Sequence, residues 1–533
     1  MAPPTDAASI NDRRWAVLAV MNLSLVIVVA GNSSLNVALP TIVRDLDATN
    51  SQLQWMVDAY ALVFAGLLLP MGALGDRFGR KGMLQGGLGI FALGSLIAVF
   101  ATEPWHLIAT RSIMGVGAAM IMPATLSIIT NVFPPQERSK AIAIWAGFAG
   151  AGAAIGPVLS GVLLEHFWFG SVFLVNLPIV ALALVSGALL VPTSRDPRRR
   201  RLDPVGGLLS MVGLFALLYA IIEGPERGWG DPLTIGLFVV AAVLGVTFVR
   251  WERHTDEPML PMNQFADSRF SMGTGTIGLT FFAMFGTFFV ATQYLQFVLG
   301  YSPLEAGLAT LPMAAMMIVF APRSAGFAAR FGRDKVMSVG LSIVATGLLV
   351  LSFLTVDSPY LHVAIGLMLL GGGMSMTTAP ATGAVMESMP LSKAGVGSAV
   401  NDTSREVGGA LGVAVLGSIL ASGYRSALDL DLSATPPDAA AAIREGVGSA
   451  LAVAHQTQGD FGPQIAEAAR TAFTDAMAPV FWFAAAVALL TAGLVLRLMP
   501  SHGDVVTHEA GEAGYVAPVD AARSDPVVAP AGS

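Results

Sequence analysis

The chain has 533 residues, of which 12% are charged and 54% hydrophobic, with a mean hydropathy of +0.68. Soluble proteins carry about twice that share of charge, so a water-soluble multidomain protein is excluded. Zero Cys removes disulfides, thiolate metal sites and cysteine nucleophiles, and a net charge of -7 leaves no basic field for nucleic acid.

A membrane helix needs about 20 apolar residues. Such runs predict spans near 15–38, 53–72, 83–101, 106–128, 140–163, 171–192, 205–223, 233–250, 271–297, 304–322, 336–355, 360–382, 396–422 and 478–498. The first follows Arg13 and Arg14 and is too long for a signal-peptide core, so it reads as an uncleaved span. The 58 Gly have no collagen-like period and suit membrane helices, where small residues let backbones approach closely.

Basic residues gather in alternate connections. They stand at Arg77, Arg80 and Lys81, at Arg138 and Lys140, at Arg195 and Arg198 to Arg201, at Arg250 and Arg253, and at Arg330, Arg333 and Lys335. The opposite connections hold few, such as Arg44, Arg227, Arg425, Arg444 and Arg470. By the positive-inside rule both termini are cytoplasmic, which requires an even number of spans; fourteen satisfies it. Residues 1–14 are then a cytoplasmic N-terminus and 499–533 a disordered cytoplasmic tail. Residues 423–477 form an external segment with an Ala-rich helical pattern.

An internal repeat is visible. Arg77-Phe78-Gly79-Arg80 recurs as Arg330-Phe331-Gly332-Arg333, an offset of about 250 residues. Nearly the same offset carries Ser139-Lys140-Ala141 onto Ser392-Lys393-Ala394 and Pro123-Ala124-Thr125 onto Pro380-Ala381-Thr382. Three matches in order predict a duplicated six-helix unit, 15–192 and 269–498, with two helices inserted over 193–268. Duplicated bundles with a site at the repeat interface are how many secondary transporters are built.

The motifs carry a resemblance. Gly72-Ala73-Leu74-Gly75-Asp76-Arg77-Phe78-Gly79-Arg80-Lys81 resembles the loop signature of the major facilitator superfamily. Gly152 through Gly156-Pro157 to Ser160-Gly161 resembles the antiporter signature of its drug-exporting branches. Asn36-Val37-Ala38-Leu39-Pro40, Trp55-Met56-Val57-Asp58-Ala59-Tyr60 and Glu223-Gly224-Pro225-Glu226-Arg227-Gly228-Trp229 are similar to the fourteen-span drug:proton antiporter family. Phe320-Ala321-Pro322, Ser392-Lys393-Ala394-Gly395 and Gly412-Val413-Ala414-Val415 look like its quaternary-ammonium exporter branch. The resemblance implies an all-α integral membrane protein with the major facilitator fold. It implies export of an amphipathic small molecule across the cytoplasmic membrane in exchange for protons, with no cofactor beyond the proton motive force. It is expected to be a monomer in lipid.

A proton-coupled exporter needs a membrane carboxylate that exchanges protons, a cavity and a gate. Asp402, Arg405 and Glu406 stand at i, i+3 and i+4 and share one helix face. Counted from Gly395, Glu406 lies roughly 16 Å along the axis, near mid-bilayer. Ionisable groups there are functional by default, although a structural ion pair is the plainer alternative. The resemblance also places an acid at Glu406, makes Asp58 a cavity acid and gives Arg111 a part in proton transfer. Arg111 could instead hydrogen-bond carbonyls and lock its helix. Asp76, Arg77, Arg80 and Lys81 read as a gate latch, and Ala329 at the repeated position of Asp76 predicts an asymmetric one. Gly147, Gly150, Gly152, Gly156 and Pro157 give a small, kinkable face expected to slide and seal between the halves. Glu223 reads as a water-facing helix end and Glu387 as a loop residue. The branch usually has further acids where this chain has Gly31 and Met317, so monocations, neutral amphiphiles or a metabolite fit better than dications. An importer or uniporter of the same fold is the alternative. The seven scattered His show no metal spacing, and Gly75 to Lys81 lacks a phosphate-loop pattern, which argues against a membrane enzyme or an ATP-driven pump.

Overall fold

The computed structural model describes residues 7–46, 48–194, 202–433, 435–457 and 459–501. Arg195, Arg198 to Arg201 and residues 502–533 of the expected tail lie outside the described residues, as does the side chain of Asn36. Among those described there is no strand, and fourteen helical spans are long and apolar enough to cross a bilayer.

The first six spans are α1 (Ala7–Leu46), α2 (Asn50–Phe78), α3 (Arg80–Val99), α4 (Pro104–Val132), α5 (Pro135–His166) and the broken pair α6 (Ser171–Leu174) and α7 (Asn176–Leu190). Next come α8 (Pro204–Arg227) and α9 (Pro232–His254). The last six spans start with α10 (Ser268–Gln293), α11 (Pro303–Ala309) with α12 (Leu311–Phe331), and α13 (Arg333–Leu351). They finish with α14 (Tyr360–Ser388), α15 (Ala394–Ala427) and α18 (Phe461–Leu498), with α16 (Pro437–Glu445) and α17 (Val447–Gln456) lying between the final two.

Helix starts are written locally. Asp203, Asp231 and Ser302 accept backbone N–H groups just before a proline, and Thr49 with Gln52 closes a capping box. The predicted spans all appear, with one large shift. The last helix begins at Phe461 instead of 478, because its polar first turns still bury Ile465, Ala469, Ala472 and Phe473. Segment 423–477 is therefore mostly helix, pinned where the Tyr424 hydroxyl donates to the Ile443 carbonyl and Arg470 Nε to that of Phe297. Glu387 stands in the last turn of α14, not in a loop.

The repeat is physical as well as textual. Gly79 and Gly332 break the chain between helices at φ of 121° and 95°, a region closed to most side chains. The next residue in each copy, Arg80 or Arg333, donates its N–H to the carbonyl of Ser194 or Ser501. Arg77 lies over the Phe78 ring and Arg330 over Phe331. The Thr125 hydroxyl accepts from Trp145 Nε1, and that of Thr382 donates to Asn401, so both copies tie the threonine of the repeated Pro-Ala-Thr to the following helix.

The inserted α8 packs on α2 and α15, where Leu218 meets Leu62 and Ala65, with Val407 and Ala410 alongside. Its partner α9 turns most of its surface outward, as a lipid-facing helix does.

Candidate functional site

Two places bring the charged residues together: mid-span on α15, and the basic end of α2.

On α15 the shared face predicted for Asp402, Arg405 and Glu406 forms. Asp402 and Arg405 are buried, whereas Glu406 keeps partial exposure although it sits inside the bundle. Glu406 lies within electrostatic reach of both, and of Tyr60 on α2. Among the described residues no ion pair forms here. Asp402 Oδ1 accepts from Asn401 Nδ2 at 3.0 Å, and Asp402 Oδ2 and Arg405 Nε are buried with no hydrogen-bond partner. The Arg405 guanidinium sits between two rings, 4.9 Å from Trp145 of α5 and 5.1 Å from Phe281 of α10. Because α5 belongs to the first six spans, this contact crosses between the repeats. Trp145, Phe281 and Asn401 were not singled out by sequence, and Tyr60 entered only as the end of the Trp55-to-Tyr60 motif. A lone Trp in the Gly- and Ala-rich stretch of span 5 was the one available signal.

Arg111 is fully buried on α4 and reaches three acceptors. These are the Met56 carbonyl from Nε (3.2 Å), the Gly31 carbonyl from Nη1 (3.2 Å) and Asn32 Oδ1 from Nη2 (2.7 Å). Its guanidinium also lies 4.2 Å from the Tyr60 ring centroid, and the Tyr60 hydroxyl donates to the Val28 carbonyl. Arg111 thus ties α4 to α1 and α2, the locking arrangement. Arg111→Lys keeps the charge but cannot serve three divergent acceptors. We expect it to cost about 3 kcal/mol and to lower the thermal unfolding midpoint in detergent; an unchanged midpoint would contradict the lock.

Asp58 is half-buried on α2. Gly31 and Met317, at the two positions lacking the usual acid, are packing positions here. A side chain at Gly31 would press on Phe91, and Met317 is 5% exposed beneath Gly150 of α5.

At the basic end, α2 and α15 cross at Gly72 and Gly395. A Cβ on either would collide with the other backbone. That approach lets Asp76 reach the start of α15: Oδ1 accepts from Gly395 N (2.9 Å) and Oδ2 from Val396 N (3.1 Å). Arg80 pairs with Asp76 at 2.7 Å and donates to the Leu391 carbonyl at 2.6 Å. A carboxylate at a helix N-terminus also meets the positive end of its dipole. Lys81 turns instead to the Ala188 carbonyl at the end of α7. In the second copy Ala329 is exposed, and Arg333 pairs with Glu387 at 2.7 Å, which also accepts from Ser139 of α5. The two copies make different contacts at this end: Asp76 reaches the start of α15, whereas Arg333 reaches Glu387 of α14.

The small face of α5 divides in two. Gly147 and Gly150 lie against Ala321 and Met317 of α12, and Pro157 lies against Gly307 of α11. Gly152 and Gly156 instead abut Val29, Ala30 and Ser33 of α1, inside the first six spans. The expectation that the whole face seals between the halves is thus corrected: a helix shows only part of its surface to one neighbour. A cavity of about 430 Å³ opens on the far side of α15, between Leu69, Leu260, Phe265, Thr274 and Val407. It has no charged lining and is separate from the Arg405 site.

The sequence profile of the Major Facilitator Superfamily matches residues 21–413. The chain is 37% identical over 484 residues to the multidrug efflux pump LfrA of Mycolicibacterium smegmatis, covering 91% of this chain and 96% of that one. It is 34% identical over 499 residues to the methyl viologen resistance protein SmvA of Salmonella typhimurium, covering 91% and 97%. The structure of the proton:xylose symporter XylE shares the fold with a TM-score of 0.59 at 14% identity, over 92% of this chain and 96% of that one. Profile match, full-length relatives and helical architecture agree: this multi-pass membrane protein is a member of the Major Facilitator Superfamily, a family of transporters.

Proposed function

We propose that the chain is a proton-driven exporter of amphipathic drugs or metabolites, cationic or neutral, in the cytoplasmic membrane. Residues 15–192 and 269–498 act as two six-helix halves that rock about a central site, with 193–268 inserted between them and both termini in the cytoplasm. The observation that carries this reading is Glu406: a partly exposed carboxylate inside the bundle, beside a buried cation that it does not neutralise. Such a group can be loaded with a proton or can face a cationic cargo, and either state opposes the other. Asp58 and Arg111 line or brace the same bundle. Asp76 and Arg80 hold the cytoplasmic end shut in the form described. The names of LfrA and SmvA, an efflux pump and a resistance protein, support export over uptake.

The test is flux in everted membrane vesicles. Acidifying the lumen should drive accumulation of a fluorescent cation such as ethidium, and collapsing the pH difference with a proton/potassium exchanger should stop it. Accumulation that survives the collapse would contradict coupling to the pH gradient.

A further inference from the structure

The base of the inserted helix pair carries two acids that the transport reading leaves unused. Glu252, near the end of α9, is 3% exposed. Its Oε2 accepts the Leu260 N–H at 3.2 Å, whereas its Oε1 is buried and has no hydrogen-bond partner. That oxygen meets a second carboxylate. A Cβ on Gly206 would touch Glu252 Oε1 and Asp203 Oδ2 together, so the two oxygens converge beside a residue without a side chain. Asp203 caps α8: its Oδ1 accepts from Gly206 N at 2.8 Å, and both its oxygens share Trp251 Nε1 at 2.9 Å. What Glu252 holds leads to the latch. Met259 and Leu260 are buried, and the Pro258 carbonyl just before them accepts from Lys393 Nζ. Lys393 follows Leu391, whose carbonyl takes Arg80, and precedes Gly395, whose N–H goes to Asp76. Through residues 258–260 the insert thus grips the same short segment that Asp76 and Arg80 grip.

We propose that Asp203 and Glu252 form a proton-binding site apart from the transport path, and that its proton sets how firmly the inserted pair braces the latch. The proposal rests on the reading above that the basic end faces the cytoplasm. Two carboxylates that converge out of water keep one proton between them, an O–H on one donating to an oxygen of the other. Here the proton sits on Glu252 Oε1 and donates to Asp203 Oδ2, which satisfies the orphaned oxygen. Asp203 is partly exposed, so the proton leaves to water on its side. Among the described residues, the charged groups that act on Glu252 are Asp203 of α8 and Lys393 of the connection from α14 to α15. Arg250, Arg253 and His254 on its own helix are exposed. Loss of the proton leaves two anions facing each other across Gly206. Repulsion then drives Glu252 off the Leu260 N–H, residues 258–260 slacken, and Lys393 loses its anchor. Asp76 and Arg80 must hold the segment alone. The protonated pair therefore favours a shut cytoplasmic end and the ionised pair an open one, so an alkaline cytoplasm opens the carrier to its cargo.

The chain has no Cys, so a pair of spin labels can be placed without background. Gln136→Cys at the start of α5 and Ala329→Cys near the end of α12 suit them. Both positions are exposed at the basic end, one in the first six spans and one in the last six. Pulsed electron resonance on the purified full-length chain in detergent reads opening as a longer label distance. Raising the pH from mildly acidic to mildly alkaline should increase the ratio of long to short distances about tenfold. Glu252→Gln should hold the short distance throughout, because its amide donates to Asp203 and still accepts from Leu260. Lys393→Met, which cuts residues 258–260 from the latch segment, should give a ratio that no longer follows pH. A pH-insensitive ratio in the otherwise unchanged chain overturns the proposal, and so does a Glu252→Gln chain that responds as fully as its parent. Thermal unfolding checks each variant. If Glu252→Gln does not fold, Lys393→Met decides, and a response equal to the parent's overturns the proposal. The distances are read without cargo or gradient, so they judge the proton site whatever the vesicle flux assay says of export.

Discussion

Glu406→Gln should abolish pH-driven efflux, down to the level of vesicles without the protein, while leaving the fold intact. Among the described residues Glu406 makes no hydrogen bond or ion pair that Gln would break. It is partly exposed, and Gln matches its shape, so no cavity or unsatisfied group is created. Stability should hold or rise slightly, because one desolvated charge is removed. What disappears is the exchange. A cation arriving beside an ionisable carboxylate favours the ionised form and expels its proton; an amide has none to expel. The direct measurement is proton release on adding ethidium to detergent-solubilised protein at a series of pH values. Wild type should release protons with a maximum at an intermediate pH, and Glu406→Gln should release none. Undiminished release from the variant would move the coupling role to another acid, and Asp58 and Asp402 would be tested next.

Asp76→Asn should unlock the basic end of the molecule. The Asp76 carboxylate accepts two α15 backbone N–H groups and the Arg80 guanidinium, all buried. An amide has one acceptor oxygen, so its NH₂ must confront a donor. With Arg80 then left under-paired, the loss is about 3 kcal/mol, roughly a hundredfold in the balance between the conformation shown and one opened at this end. A cysteine placed at Ala399, fully buried where the two helices meet, would report it. Alkylation should be slow in the otherwise unchanged chain and fast with Asp76→Asn, and transport should fall because the empty carrier rests in the wrong state. Ala329→Asp, at the repeated position, should do neither, since Ala329 is exposed and Arg333 already pairs with Glu387. Equal alkylation rates with and without Asp76→Asn would show that the seal rests on packing at Gly72 and Gly395 alone.

The sequence by itself determined everything that depends on local periodicity and charge. Fourteen spans follow from apolar runs long enough to satisfy their own backbone in lipid. The duplication follows from three short matches at nearly the same offset. The common face of Asp402, Arg405 and Glu406 follows from the helical pitch alone. The tertiary structure decided who meets whom, because those partners are separated by tens to hundreds of residues and many are backbone groups carrying no sequence signature. The donors held by Asp76 are the N–H groups of Gly395 and Val396, some 320 residues away. Two of the three acceptors of Arg111 are carbonyls, which any residue would have supplied. The rings around Arg405 come from α5 and α10, and only the packing of the whole bundle places them there. Likewise Gly152 and Gly156 turn to α1 while Gly147 and Gly150 turn to α12, a division set by which neighbours surround α5. Pitch tells which residues share a face; packing of the whole bundle chooses what that face sees.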